Sequence, residues 1–237
     1  MAKALTRVMF IDGSKEKFEL LKKGHISAKF LAGITIEELL RSVNAVHELE
    51  DHDKAFIYTL FLTAGRRDEV YGMRKMDIKH EQITDDEGRV YEVMVISLRN
   101  EKNRKIPYKF IPLMKGIDAT EDYMIDKLIE HTATILNPED HLFYEGYAHT
   151  TISNKHLEKV WITDRYREPN WNINEDLVIK FRLFPHYLRH IRLSELGLGE
   201  DTKIWAGWSE ITPELDQTYL RRGWAKLLKI RMGMRRF

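Results

Sequence analysis

Three short segments of this 237-residue chain carry charged or hydroxyl side chains in patterns that packing alone does not select. The first runs from Thr63 to Glu69, where an apolar stretch ends, Gly65 marks a turn, and Arg66 and Arg67 follow. A guanidinium held at such a turn can direct its planar N–H donors at a phosphate. Glu69 lies three residues after Arg66, so on a helix the carboxylate shares a face with the guanidinium and can orient it. The same pattern is also typical of an ordinary helix start with acids in its first turn.

The second segment runs from Phe184 to His190. His186 and Arg189 are three residues apart and therefore face the same side of a helix. An imidazole beside a guanidinium suits an anion that gains charge during a reaction. His190 faces another direction, and we interpret it as structural. Because the chain has ten histidines, a His-x-x-Arg pair taken alone indicates little.

The third segment runs from Thr218 to Arg221, and its Tyr219 begins a basic tail over 219–237. A lone tyrosine is more typical of a core, or of its rim, than of catalysis. The tail holds seven cations and no acid, which gives it +7 and leaves −6 on the rest of a chain whose total is +1. Such a tail suits nucleic acid, an anionic membrane, an acidic protein surface, or plain solvation as a terminal helix.

Helices and strands must position these segments. Apolar residues at helical spacing predict three early helices, over 34–47, 53–65 and 68–76. Thr35 and Glu38 have the spacing of a capping box at the start of the first helix. Gly65 suits the left-handed turn that follows the second.

The middle of the chain predicts a small antiparallel sheet of about three strands. A turn signal from Asp85 to Gly88 precedes alternating and β-branched residues, and a polar break over 100–104 separates these from the run 105–113. Further helices are predicted over 121–136, over 153–162 and from Pro185 to Gly197, with the remainder helical to the end. The predicted fold class is α+β, mostly helical, with one small antiparallel β-sheet inserted after three helices.

Composition excludes several classes of protein. The chain has no cysteine, so disulfide scaffolds, thiolate catalysis and cysteine zinc sites are excluded, and any metal would need histidine or carboxylate ligands. No apolar run is long enough to cross a bilayer, and the N-terminus lacks the pattern of a secretory signal. With 43% hydrophobic and 32% charged residues, the sequence predicts a soluble intracellular protein with a buried core.

Taken together and in order, the three segments resemble the catalytic domain of the tyrosine recombinase (integrase) family, which shares its outline with type IB topoisomerases. The stretch from Thr63 to Glu69 is similar to the family's first arginine box and makes Arg66 the first catalytic arginine. Because Ala64 interrupts the Thr–Gly pair of that box, Arg67 is the alternative.

The remaining boxes follow in the family's order. His186, Arg189 and His190 match the His-x-Leu-Arg-His box residue by residue. The pair Gly207–Trp208 resembles the Leu-Gly-His box with tryptophan in place of the second histidine, a substitution that some members use. Tyr219 then follows as the nucleophile.

The polar break between the second and third predicted strands resembles the family's lysine-bearing β-hairpin. It lies ahead of a run that ends Ile111-Pro112-Leu113. Lys102 looks like the hairpin lysine, and Lys105 is its competitor for that role.

The resemblance implies a phosphodiester exchange that uses no metal, ATP or other cofactor. Tyr219 would attack the phosphorus, giving a covalent 3′-phosphotyrosine and a free 5′-hydroxyl, so that the bond energy is retained and the step is reversible. Residue by residue, the resemblance assigns catalysis to Arg66, Lys102, His186, Arg189, Trp208 and Tyr219, support of the catalytic side chains to Glu69 and His190, and DNA contacts to Arg104, Lys105, Arg221 and Arg222.

The resemblance covers about residues 53–237, which implies a catalytic domain there with the basic tail 219–237 at its end. Residues 1–52 are then a short N-terminal helical arm, either an abbreviated core-binding region or the remnant of a longer protein's. The implied partners are double-stranded DNA and further copies of the chain, as a tetramer on DNA joined through the tail, and no membrane. Trp224, Leu227 and Leu228 lie at helical spacing and are predicted to enter a neighbouring copy.

The implied function is site-specific DNA recombination or integration. If the chain is encoded by a virus or another mobile element such as a plasmid, it would act in the cytoplasm or nucleoid of the host cell. The alternatives are a topoisomerase-like or telomere-resolving enzyme of the same chemistry, and a non-catalytic DNA-binding protein of the same fold.

Overall fold

The computed structural model describes residues 8–10, 34–85, 87–100, 107–143, 157, 159–166, 177–196, 205–206, 228 and 231–232. Within these ranges the helices are α1 Ile36–Asn44, α2 Asp51–Thr63, α3 Arg67–Tyr71, α4 Ala119–Thr134 and α5 Pro185–Glu195, with a 3-10 helix at Lys75–Asp77. No helix of the described ranges is long and apolar enough to cross a membrane.

Helix α2 is the centre of the core. Its residues 55–63 are all buried, and it packs against both α4 and α5. A helix that is apolar on every side is stable only when other elements surround it. The end of α2, where the first arginine box begins, is therefore held on several sides.

Helix α1 begins as the sequence predicts. The Thr35 hydroxyl accepts from the Glu38 N–H at 3.2 Å, and a Glu38 carboxylate oxygen accepts from the Thr35 N–H at 3.1 Å. This is a capping box, which satisfies two backbone donors at the helix start. The prediction at α1 is confirmed.

The predicted antiparallel sheet is also present. Strands β2 Ile78–Thr84, β3 Val90–Arg99 and β4 Tyr108–Leu113 pair in the order β2-β3-β4. The turn between β2 and β3 is closed by a hydrogen bond from the Gly88 N–H to the Asp85 carbonyl at 3.0 Å, and Gly88 has a φ of 79°. One face of this sheet joins the main core.

A second three-stranded sheet was not predicted. Strands β1 Val8–Phe10, β5 Trp161–Tyr166 and β6 Leu177–Arg182 pair antiparallel in the order β1-β6-β5. The α+β fold class is confirmed, but the expectation of a single sheet is wrong. The predicted helix over 153–162 is wrong at Trp161 and Ile162, which begin β5, because pairing between distant strands overrides local helical spacing.

The third predicted helix, over 68–76, is interrupted. Helix α3 ends at Tyr71, and the chain turns before the 3-10 helix. The reason is a tertiary pairing: the Leu142 N–H donates to the Met73 carbonyl at 2.9 Å, and Arg74 forms a β-bridge with His141. Backbone groups that pair across the fold cannot also extend the helix.

The described residues near the C-terminus pack on this chain's own body. Glu121 of α4 accepts from Arg192 Nη1 at 2.7 Å and from Arg192 Nη2 at 2.9 Å, and it also accepts from Arg231 Nη2. Trp205 is fully buried beside both guanidinium groups. Leu228 is fully buried against the outer face of the first sheet. Docking of the tail on a neighbouring copy stays a prediction.

Candidate active site

The first arginine box begins at a turn in which Ala64, and not Gly65, has the strained left-handed backbone conformation. Helix α2 ends at Thr63, and Ala64, with φ 46° and ψ 34°, is the left-handed residue that caps it. The prediction that Gly65 takes this conformation is wrong, since Ala64 is the one non-glycine residue with positive φ in the described ranges. A Cβ atom costs roughly 1–2 kcal/mol in this region.

Gly65 is required for space instead. A Cβ built at Gly65 would lie 2.5 Å from Val70 Cγ2 and 2.8 Å from Thr63 Oγ1. The Thr63 hydroxyl accepts from the Gly65 N–H at 3.1 Å and donates to the Thr59 carbonyl at 2.6 Å. The absence of a side chain at Gly65 therefore lets the turn lie directly against α3 and the end of α2.

Arg66 is fixed by Glu69, the contact that the three-residue spacing predicts. The Arg66 N–H donates to Glu69 Oε2 at 2.9 Å, and Arg66 Nη1 donates to Glu69 Oε1 at 2.5 Å and to Asn100 Oδ1 at 3.4 Å. The Arg66 side chain remains 21% exposed. Arg67 instead pairs with its neighbour Asp68 at 2.8 Å. The carboxylate contact thus favours Arg66 over Arg67, and its catalytic role stays a prediction.

Arg189 reaches the same turn from α5. It is 2% exposed, and its Nη1 donates to the carbonyl of Ala64 while its Nη2 donates to the carbonyl of Ala206 at 2.7 Å. Burial and the nearby charge of Arg66 lower the pKa of Arg189 to about 10. The left-handed turn at Ala64 therefore supplies one of the carbonyls that hold the second arginine.

The two histidines of the second box lie on the same helix. His186 stands one turn before Arg189, immediately after the Pro185 that begins α5, and its side chain is exposed. This is the spacing that the sequence predicts. The His190 backbone belongs to α5, and its side chain lies outside the described part of the structure.

The structure adds one residue that the sequence reasoning missed. Lys109 of β4 is 3% exposed, and its Nζ lies 2.9 Å from Glu69 Oε2. Alternation along β4 puts Lys109 on the same face as Ile111 and Leu113, which are both buried. A charged residue on the buried face of a strand was the signal that could have found it.

Four charged side chains thus meet at one place, and we call Arg66, Glu69, Lys109 and Arg189 the cationic cluster. Burial and the charge of Arg189 lower the pKa of Lys109 to about 8, although Glu69 acts against this. Burial would raise the pKa of Glu69, but Lys109 and Arg66 outweigh it and hold that pKa below its ordinary value. With Lys109 protonated, three cations surround one carboxylate, so the cluster carries an excess of two positive charges.

The other predicted site residues fall outside the described ranges, namely Lys102, Arg104, Lys105, Trp208, Tyr219, Arg221 and Arg222. Ala206 is described, and its carbonyl accepts from Arg189. The chain therefore passes the cationic cluster two residues before Trp208. Among the described residues, no group of three or more histidine or acidic side chains is arranged to hold a metal ion.

No model of a protein family and no curated protein matches the chain. The fold is similar to solved structures of the Flpe–Holliday junction complex (15% identity, 83% of this chain and 48% of that chain, TM-score 0.45) and of FLP recombinase–Holliday junction complex I (14% identity, 84% and 47%, TM-score 0.46). The chain spans about half the length of these solved chains. At this identity and TM-score, the functional assignment rests on the residues of this chain.

Proposed function

We propose that this protein is a DNA strand-transfer enzyme of the tyrosine recombinase type that breaks and rejoins phosphodiesters through Tyr219. The observation that carries the proposal is the excess positive charge of the cationic cluster. Like charges that are buried together repel strongly unless enough counter-charge lies among them, and Glu69 supplies one negative charge for three cations. A phosphodiester supplies one negative charge at the place where the first two motif boxes meet.

The contacts of Arg66 and Arg189 support binding of an oxyanion at the cluster. Arg66 is held from one side by Glu69, and Arg189 is held by two backbone carbonyls. Guanidinium groups fixed in this way need little reorganisation when charge builds on the non-bridging oxygens of a pentacoordinate phosphorus. Positioning and charge stabilisation are most of what phosphoryl transfer asks of an enzyme.

In the proposed reaction, the Tyr219 oxygen forms a bond to phosphorus while the bond from phosphorus to the 5′-oxygen breaks. The tyrosine proton passes to a base, and the leaving oxygen takes up a proton to become a 5′-hydroxyl. We assign His186 as that base or as a hydrogen-bond partner of the tyrosine, whose ordinary pKa near 10 makes such help necessary. Attack by a 5′-hydroxyl on the phosphotyrosine reverses the step and rejoins the strand.

The remaining roles come from the family motifs and complete the proposal. Lys102, with Lys105 as its alternative, donates the proton to the leaving oxygen, and the Trp208 indole N–H binds a phosphate oxygen. The DNA contacts come from Arg104, Lys105, Arg221 and Arg222, and His190 supports the second box.

At the level of the whole molecule, we propose a catalytic domain over 53–237 preceded by an N-terminal arm over 1–52. It recombines or integrates double-stranded DNA as a tetramer joined through the tail, inside the cell that holds that DNA. A helix that carries apolar residues on one face and cations on the other can contact a partner and phosphate together.

The test is covalent capture of DNA. The protein is incubated with a pool of nicked duplexes of randomised sequence, without metal or ATP, and adducts that survive detergent are digested with trypsin. The peptide 204–221 contains a single tyrosine, Tyr219, so mass spectrometry locates the bond. We expect an adduct on this peptide that Tyr219→Phe abolishes and that Tyr123→Phe, at a surface tyrosine of α4, leaves unchanged.

The same experiment separates the alternatives. Arg189→Ala should lower the rate of adduct formation by at least about 10²–10³, the usual loss when one fixed donor to a developing oxyanion is removed. DNA that is bound but never captured would overturn strand transfer and identify a non-catalytic binding protein. Capture followed by relaxation of supercoiled plasmid, without exchange between two sites, would identify a topoisomerase-like enzyme.

A further inference from the structure

Lys109 occupies a position where an apolar residue is expected. Its neighbours on the same face of β4, Ile111 and Leu113, belong to the main core, and across the strand pair it lies opposite the buried Leu98. Transferring an ammonium from water to such a place is costly, and a buried ion pair is no more stabilising than apolar residues of similar size. The fold by itself therefore gives no reason for a lysine at this position.

The contacts of Glu69 give a reason. Its Oε1 accepts from the guanidinium of Arg66 at 2.5 Å, and its Oε2 accepts from the Arg66 N–H at 2.9 Å. The Lys109 ammonium lies 2.9 Å from the same Oε2, and Glu69 is itself 2% exposed. The carboxylate is thus held between a buried lysine and an arginine that is one-fifth exposed.

This arrangement has two effects on Arg66. Lys109 fixes the carboxylate from the core side, so Glu69 has one position from which to direct the guanidinium. Lys109 also shares the negative charge of Glu69, so Arg66 is less fully neutralised than it would be in an isolated pair. Both effects favour an anion bound at the exposed side of Arg66.

We propose that Lys109 is a positioning residue of the phosphate site, which fixes Glu69 and thereby sets the orientation and the effective charge of Arg66. This proposal rests on the proposed function of the cationic cluster as a phosphodiester site. Lys109 does not touch the substrate, because its side chain is buried and its ammonium lies against the carboxylate of Glu69.

The proposal predicts how anion binding depends on pH. The charged groups that face Lys109 in the described structure are Glu69 from α3, Arg66 immediately before that helix, and Arg189 from α5. When Lys109 loses its proton, the cluster loses one positive charge, and the negative charge of Glu69 is then balanced by Arg66 and Arg189 alone. Affinity for an anion of constant charge should therefore fall as the pH rises through about 8, the pKa of Lys109.

The experiment is an NMR titration of the full chain with dimethyl phosphate, a phosphodiester whose single charge stays constant between about pH 6 and 10. The arginine side-chain N–H signals report binding. For the unaltered protein we expect the Kd to rise about fivefold or more between pH 7 and pH 9.5. Lys109→Met should bind weakly at pH 7 with no such rise, and Lys109→Arg should bind at both pH values.

A matched control variant and a second measurement keep the outcomes distinct. Lys115→Met removes a surface lysine paired with Asp126 and should leave both the affinity and its pH dependence unchanged. If Lys109→Met does not fold, the unaltered protein still decides: the Arg66 side-chain chemical shift should report the deprotonation of Lys109, whose pKa is about 8, and a shift that does not change with pH would overturn the proposal.

The result also separates this inference from the proposed function. If the unaltered protein shows no dimethyl phosphate binding at Arg66 or Arg189, the proposed phosphate site is wrong. If it binds, and Lys109→Met binds equally well with the same pH dependence, the phosphate site stands and the role of Lys109 is refuted.

Discussion

Gly65 offers the most direct test of how the first arginine box is built. Gly65→Ala would place a methyl group 2.5 Å from Val70 Cγ2, 2.8 Å from Thr63 Oγ1 and 3.4 Å from Leu98 Cδ1. The first two distances are shorter than a carbon atom tolerates, so α3 or the end of α2 must move. Overpacking of this kind costs about 1–3 kcal/mol, and we expect that loss in the free energy of unfolding.

Urea unfolding followed by tryptophan fluorescence measures the cost, since the chain has five tryptophans. At a slope of about 3 kcal/mol per M, the midpoint should fall by about 0.3–1 M. Ala64→Gly is the matched control, because it removes the Cβ from the left-handed residue. The gain of about 1–2 kcal/mol is partly offset by greater freedom of the unfolded chain, so its effect should lie between zero and about 1 kcal/mol of stabilisation.

Val70→Ala tests whether the Val70 side chain is what the new methyl group of Gly65→Ala meets. Because this substitution removes the atom nearest to the new methyl group, the double variant Gly65→Ala/Val70→Ala should be at least about 1 kcal/mol more stable than the sum of the two single effects implies. Independent sites add within about 0.5 kcal/mol. Additive energies, or a neutral Gly65→Ala, would refute the packing explanation.

Three further predictions concern the C-terminal side of the fold. Glu121→Gln should cost about 3 kcal/mol at pH 7, because it leaves Arg192 and Arg231 without their shared carboxylate. Burial would raise the pKa of Glu121, but those arginines outweigh it and lower the pKa. The stability that the carboxylate contributes should therefore be complete above its unfolded pKa near 4.3 and be lost as the pH falls through its lower folded pKa. The acid unfolding curves of variant and parent should then converge below about pH 4. Leu228→Ala should cost about 2–5 kcal/mol in the isolated protein, because Leu228 fills the cluster on the outer face of the first sheet. Deletion of residues 224–237 should weaken assembly on DNA in an electrophoretic shift assay; a Leu228 variant of unchanged stability that assembles poorly would place the leucine in a neighbouring copy instead.

Local signals in the sequence predicted the elements that local interactions form. The capping box of Thr35 and Glu38 and the turn at Gly88 are both present, and α5 begins at Pro185. The second sheet could not be predicted in this way, because Val8–Phe10 pairs with a strand about 170 residues later in the chain. Pairing at such distance leaves no periodic mark on a segment of three residues.

In the candidate site, too, the sequence predicts local contacts better than contacts between distant residues. The contact between Arg66 and Glu69 follows from their three-residue spacing, although Arg66 lies before α3 as its N-cap and Glu69 is the third residue of the helix. The carbonyls of Ala64 and Ala206 that hold Arg189 belong to the backbone, and every residue type has such a carbonyl, so the sequence could not predict them. Lys109 could have been predicted from the sequence, because strand alternation places it among buried residues.

The place of strand β1 bears on any shortened form of the protein. Its residues 8–10 pair with β6, and β6 leads through Leu183, whose N–H donates to the Val160 carbonyl at 2.8 Å, into the helix that carries His186 and Arg189. Removal of residues 1–52 would strip β6 of this neighbour and expose a row of unpaired backbone donors and acceptors. Such an edge recruits strands from other molecules, so a shortened chain is expected to aggregate along the strand that precedes the helix of His186 and Arg189.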